Sequence, residues 1–206
     1  MNATVQINAA EVPTTPGAPF AGGFYAGRFK IGDEVFALIV APKATGTAPD
    51  AAWGEYGKSI DAASCNDGMA NTLAMLEAGA AQAKWVRELN INGFDDWYIP
   101  SRDELETCYR NLKPTTTENY CYFRDGDNPS SVPPGYPYTD ASPAQTVCAA
   151  FQEGGEGAFE AVWHWSSTQY SADDAWMQNF ADGHQYDVLK GNEYSARAVR
   201  RFKVSN

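Results

Sequence analysis

Basic residues are scarce in this chain: Lys and Arg number 15 against 26 Asp and Glu, a net charge of −11. That deficit excludes a nucleic-acid or anionic-membrane surface, either of which needs a basic face. Histidine is scarcer, with only His164 and His184, so general-base chemistry at neutral pH has just two untuned candidates. The four cysteines, Cys65, Cys108, Cys121 and Cys148, form no CxxC and have no histidine at ligand spacing, which argues against zinc. They read as free buried thiols, with Cys108–Cys121 and Cys121–Cys148 left open as bridges. No apolar run approaches a membrane span, and Met1 to Ala10 has neither the basic nor the apolar region of a secretory signal. The expectation is a chain made in a bacterial cytoplasm without membrane insertion, needing no metal and no cofactor.

What is present is ordinary for a globular protein. A hydrophobic content of 44%, a charged fraction of 20% and 206 residues allow one substantial core with a short appendage. Residues 1–20, rich in Ala, Thr and Pro, read as a flexible leader, and residues 21–206 as a single domain. Two apolar runs, Phe24 to Ile31 and Val35 to Val40, flank Gly32-Asp33 and predict a hairpin whose second strand lies mid-sheet. Pro42 to Gly57 reads as loop. Met69, Leu73, Leu76, Ala80, Ala83, Val86 and Leu89 recur at helical spacing and predict one amphipathic helix from Gly68 to about Asn90, stopped by Asn92-Gly93.

Trp97 to Ile99 reads as a short strand. Ser101 and Glu104 then form a capping box opening a helix to about Leu112, so Arg102 and Glu104 are read as capping rather than catalytic residues. Residues 113–142, with Pro129, Pro133, Pro134 and Pro137, read as a long inserted loop, the kind that usually carries function. Ser142-Pro143 predicts a short helix over Ala144 to Phe151.

The last forty residues organise the rest. Trp163 to Thr168, Ala175 to Phe180 and Ala196 to Lys203 alternate like strands, with an Asp182-Gly183 turn between the first two and the third. Trp163, Trp165 and Trp176 are expected to pack inside. Alternation sends Arg197, Arg201 and Lys203 to one side and Arg200 to the other, a pattern for internal ion pairing. Tyr170 to Asp174 and His184 to Tyr194 lack periodicity and mix Tyr, His, Asp, Asn and Gly, as recognition surfaces do.

A family resemblance enters on particular residues. Asp96-Trp97-Tyr98-Ile99-Pro100-Ser101-Arg102-Asp103-Glu104-Leu105, Trp165-Ser166-Ser167-Thr168, Ala175-Trp176 with Gln178-Asn179-Phe180, and Arg197-Ala198-Val199-Arg200-Arg201 together resemble the C-terminal domain family of the Legionella collagen-like protein, from near Gly22 onward. That family is common in phage and prophage tail genes. The resemblance implies an α+β, C-type-lectin-like fold, two helices packed on a twisted antiparallel sheet. A narrower resemblance is to the variable proteins of diversity-generating retroelements, in which asparagine codons are randomised at their adenines. Such codons cannot yield Gln, Lys or Glu, so Gln185, Lys190 and Glu193 would be fixed positions.

The function so implied is binding: a surface of Tyr170, Asp173, Asp174, His184, Tyr186, Asp187, Val188, Leu189, Asn192 and Tyr194 meets a host-surface or other macromolecular ligand. The implied setting is a virion tail or cell surface, as a homo-oligomer where the domain tips a fibre. Two alternatives stand beside it. Formylglycine-generating enzymes share the fold, but their chemistry needs a reactive cysteine arrangement, and no cysteine follows Cys148. Calcium-dependent sugar binding could use Asp95-Asp96 or Asp173-Asp174, but the Glu-Pro-Asn, Gln-Pro-Asp and Trp-Asn-Asp signatures are absent.

Overall fold

Residues 6–20 are pinned, not free. The computed structural model describes residues 6–205. In it Gln6–Asn8 (β1) runs parallel to the C-terminal strand, with Gln6 opposite Lys203. Asn8 caps a 3-10 turn, Ala9–Glu11, in a reciprocal capping box with Glu11. Val12 is buried, and Pro19–Phe20 (β2) pairs with the strand that follows. The flexible leader expected over residues 1–20 is therefore corrected for 6–20, while 1–5 lie outside the described residues. Composition suggested freedom, but the backbone groups of a sheet edge offer partners to any chain that reaches them.

The expected hairpin forms as Gly23–Ile31 (β3) and Glu34–Val40 (β4). A single turn, Lys43–Gly46 (α1), and a two-residue strand, Ala51–Ala52 (β5), interrupt the expected loop. The single helix expected from Gly68 to Asn90 is two: Gly68–Glu77 (α2) and Ala81–Arg87 (α3). Gly79, at φ +87°, separates them in a conformation no helix accommodates. The buried face also differs from the apolar stripe, because Leu73 and Leu76 are exposed whereas Asn71 and Thr72 are buried. Hydrogen bonds set this rotation. The Asn71 amide donates to the Ser64 carbonyl and accepts from the Ser64 N–H, while the Thr72 hydroxyl accepts from the Ile99 N–H.

Arg102–Leu112 (α4) starts on the expected Ser101/Glu104 capping box. The Trp97 to Ile99 strand reduces to one bridge, Tyr98 to Val199. Within the long loop, Ser131–Val132 (β6) pairs with β3. The helix expected over Ala144 to Phe151 is only a 3-10 turn, Ala149–Phe151, since the Thr146 N–H and the Gln145 side chain bond back to the Lys113 and Pro114 carbonyls instead. Then come Trp163–Gln169 (β7), Asp174–Asn179 (β8), Gln185–Leu189 (β9), Glu193–Tyr194 (β10) and Val199–Ser205 (β11).

The strands make a six-stranded mixed sheet in the order β1-β11-β4-β3-β2 with β6 on β3, a three-stranded sheet β7-β8-β9, and the pair β10-β5. The arrangement is α+β, and the parallel β1–β11 pairing departs from an all-antiparallel expectation. β4 lies between β3 and β11. Its Ala37 and Ile39 enter one apolar cluster with Trp53, Trp97 and Trp165, and its Phe36, Leu38 and Val40 enter another with Tyr98, Tyr109 and Phe180. Burial on both faces is why the run reads as continuously apolar.

The C-terminal cations mostly close ion pairs. Arg200 grips the Asp96 carboxylate with two bonds of 2.7 and 2.9 Å and lies over the Phe94 ring. Arg201 bonds Asp67, and Lys203 pairs with Glu34. Arg197 instead donates to the Ala41 and Gly157 carbonyls. All four cysteines are free, and Cys108 is the fully buried one.

His164 sits in the second cluster's wall, edge-on to Phe159 and Phe180, with Nε2 3.0 Å from the Glu160 carbonyl. Burial pushes its pKa down from 6.5 to about 4. The unfolded chain takes up this proton near 6.5 and the folded protein does not, so stability falls as pH drops through that window. From about pH 7.5 to about pH 5 the loss is about 2 kcal/mol. Urea denaturation at both pH values checks this: His164→Gln should lose less stability than the parent by that margin, and parallel losses would show the ring to be accessible.

Candidate functional site

Register decides which side chains meet solvent together. β8 and β9 pair with Trp176 opposite Asp187, Asp174 opposite Leu189 and Gln178 opposite Gln185. Opposed residues share a face. Trp176, Asp174, Asp187 and Gln185 therefore lie on one face, and Ala175 and Met177, both buried, lie on the other with Val188. Trp176 is partly exposed rather than fully buried, which corrects the expectation for it. Its ring stands perpendicular to Tyr170 at 5.3 Å, with the Arg102 guanidinium 5.5 Å away. Trp165, on the opposite face, is fully buried.

The inserted loop closes over this face. Asp125, buried, accepts hydrogen bonds from the Gln185 N–H at 2.8 Å, the Tyr122 N–H at 3.2 Å and the His184 ring at 3.2 Å. Burial raises its pKa against those donors. One carboxylate thus fastens the loop to β9. Tyr122 and Phe123 project beside it, 68% and 87% exposed, and Tyr170 and Tyr186, 56% and 54% exposed, line the same groove, Tyr186 from the Met177 face of the edge strand β9. Together with Trp176, Gln185 and Asp187 they enclose a groove of about 380 Å³. Phe123 is also in left-handed backbone, φ +50°, which a bulky residue adopts at a cost. Gly183 keeps the β8–β9 turn tight, since a Cβ there would lie 2.4 Å from the Tyr109 ring.

The residues expected to form the surface divide. Tyr170, His184, Tyr186 and Asp187 line the groove. Asp174 is beside it, on the Trp176 face, and burial, with the Asp174 charge adding, raises the Asp187 pKa. Leu189 is exposed farther along β9. Three others serve the frame. Val188 packs on the core, Tyr194 stands edge-on to Trp165 at 5.1 Å, and the Asp173 carbonyl accepts the Lys190 N–H while its own N–H bonds Ser171. Asn192 donates its N–H to Leu189 in the following turn. His184 to Tyr194, expected as an irregular rim, contains β9 and β10 and owes its lack of periodicity to a strand with neither face fully buried.

Sequence reasoning missed Tyr122, Phe123, Asp125 and Trp176. A signal existed for the first two: Tyr120-Cys121-Tyr122-Phe123 is an aromatic run in a loop with no apolar periodicity to bury it.

A family model described as the Lcl C-terminal domain matches residues 52–200. The chain belongs to that family. The match starts at β5, downstream of the β3–β4 hairpin that the resemblance near Gly22 would have included. Comparison with curated proteins returned no match.

In this Lcl-family domain the residues weighed for other chemistries have structural partners. His164 faces the core and His184 faces Tyr120 and Asp125, with ring centroids of His184 and Tyr120 4.1 Å apart. Asp96 is held by Arg200. Among the described residues no three His, Cys, Asp or Glu side chains converge as a metal site, and no helix is long and apolar enough to cross a membrane.

Proposed function

We propose that this domain is a non-catalytic binding module whose groove between β8–β9 and the inserted loop holds a macromolecular ligand at a host or cell surface. One observation carries the reading: four large aromatics from chain-distant segments, Tyr122, Phe123, Tyr170 and Tyr186, line one groove while each stays more than half exposed. Tyrosine and tryptophan bring contact area at small entropic cost, and the loop and strands that present them are anchored by buried groups such as Asp125 and Lys190. The ammonium of Lys190 donates to the Lys58 and Ala172 carbonyls and to Gln169.

The finer reading is a C-type-lectin-like scaffold from a phage or prophage tail, or the variable protein of a diversity-generating retroelement, assembled as a homo-oligomer on a fibre. Two of the three positions that adenine randomisation cannot reach, Gln185 and Lys190, are buried, which favours it, whereas Glu193 is exposed. A near-repeat of the terminal coding region beside a reverse-transcriptase gene tests the retroelement, and its absence from the flanking DNA ends that part.

The groove is tested by replacing Tyr122, Tyr170, Tyr186 and Asp187 with Ala together. Tm should move little, as surface changes do, while binding of the labelled domain to host-cell surfaces is lost. Undiminished binding by the variant would remove the groove from the function. Tyr194 is left out of the set because it supports Trp165.

A further inference from the structure

We propose that the groove receives a basic side chain, a guanidinium or ammonium group presented by a protein partner. The inference rests on the groove being the binding surface and adds the charge class of what enters it. Trp176 and Tyr170 stand at an interplanar angle of 86° and form two walls of a corner. Ring faces carry negative potential, and such corners accept cations. Arg102, paired with Asp103, already lies against the Trp176 ring within the molecule.

The carboxylates give the corner its sign. Asp187 lies directly across the strand pair from Trp176, and Asp174 shares that face. Neither forms an ion pair among the described residues. Burial, with the Asp174 charge adding to it, holds the Asp187 carboxyl above its ordinary range, so a cation arriving there also relieves a like-charge contact.

Cations adjoin the groove as well. Arg124 stands on the loop side of the groove, and Lys190 lies under the Asp173–Asp174 turn with its ammonium directed inward. Arg102, a third cation, is already paired with Asp103, which leaves Asp173, Asp174 and Asp187 beside Arg124 and Lys190, and the whole chain carries −11.

An independent observation points to a ligand donor. Gln185, 6% exposed and on the Trp176 and Asp187 face, has a side-chain oxygen with no hydrogen-bond partner. Buried acceptors left empty are rare and costly. An ammonium or guanidinium carries N–H donors and no acceptor, the complement of this carbonyl and two carboxylates. The field of a strongly acidic protein would also speed the approach of a basic partner.

The test titrates the ¹⁵N-labelled domain with three neutral-backbone probes, N-acetyl-arginine amide, N-acetyl-lysine amide and N-acetyl-glutamate amide, following the Trp176 indole N–H assigned by Trp176→Phe. The basic probes should give a saturable shift that weakens several-fold when salt is raised to about 0.5 M. Asp174→Asn/Asp187→Asn, with unchanged circular dichroism, should weaken it by about tenfold. No saturable shift, an equal shift in the double variant, or a response to the glutamate probe alone through Arg124 overturns the proposal. Each of those results leaves the groove itself to the four-alanine binding comparison, which reads partner binding without regard to charge.

Discussion

Trp165→Ala should destabilise the domain by about 3–5 kcal/mol, and Trp176→Ala, eleven positions later in the same sheet, by only about 1–2 kcal/mol. The contrast follows from the face each occupies. Trp165 is fully buried, its indole N–H donates to the Ala51 carbonyl at 3.1 Å, and its ring meets Tyr194 edge-on. Removing it opens a cavity beside Met177, its cross-strand neighbour, and takes from β10 the ring that Tyr194 packs on. Trp176 lines the groove and is only partly buried, with Tyr170 edge-on to it and Arg102 over its ring, the latter an interaction of about 0.5–1 kcal/mol. Guanidinium denaturation of both variants gives the comparison. Similar costs would place Trp176 in the core and remove the aromatic wall on which the binding site depends. The same variants separate the roles further, because Trp176→Ala should impair ligand binding while remaining folded.

How far the sequence carried this architecture depends on which interactions are local. The β3–β4 hairpin was legible because turn residues and apolar runs adjoin in the chain, and the Ser101/Glu104 cap because its partners are three residues apart. The break at Gly79 was legible in principle but masked by apolar residues that continue at helical spacing on both sides of it. The rotation of α2 was not legible: Asn71 and Thr72 are held by Ser64 and Ile99, and no periodicity encodes a bond to a distant loop. The site shows the same division. Exposed Tyr170, Tyr186 and Leu189 followed from an irregular, polar-aromatic stretch, yet Tyr194 in the same stretch turned inward because β10 pairs with β5, over a hundred residues away. Trp176 was misplaced by the general rule that indoles near strands are buried, when one step of alternation separates it from the buried Met177. The loop's part in the groove hangs on Asp125 reaching the Gln185 N–H, sixty residues on, which only coordinates reveal.

Glu104→Ala should be the most damaging change outside the tryptophans, about 3–5 kcal/mol. The side chain is fully buried at the junction of three segments. One carboxylate oxygen accepts from the Gly68 N–H at 3.0 Å and the Ser101 N–H at 2.8 Å, and the other accepts the Tyr98 hydroxyl at 2.6 Å. Arg201 lies 4.0 Å away, shared with Asp67. Truncation therefore orphans three buried donors at once, at the starts of α2 and α4, and leaves Arg201 with one partner. Glu104→Gln separates hydrogen bonding from charge. Its amide oxygen can keep the two backbone donors and its NH₂ can donate to the Tyr98 oxygen, so the loss should be about 1–2 kcal/mol. The pH dependence has a definite sign. Burial raises the Glu104 pKa above its ordinary 4.5, so the folded protein holds this proton more tightly than the unfolded chain. The resulting stabilisation is complete below about 4.5 and is lost as pH rises through the raised value, a slope that Glu104→Gln should remove. Equal losses for the two variants, measured by urea denaturation at neutral pH, would assign the effect to charge and not to the three donors that the capping carboxylate satisfies.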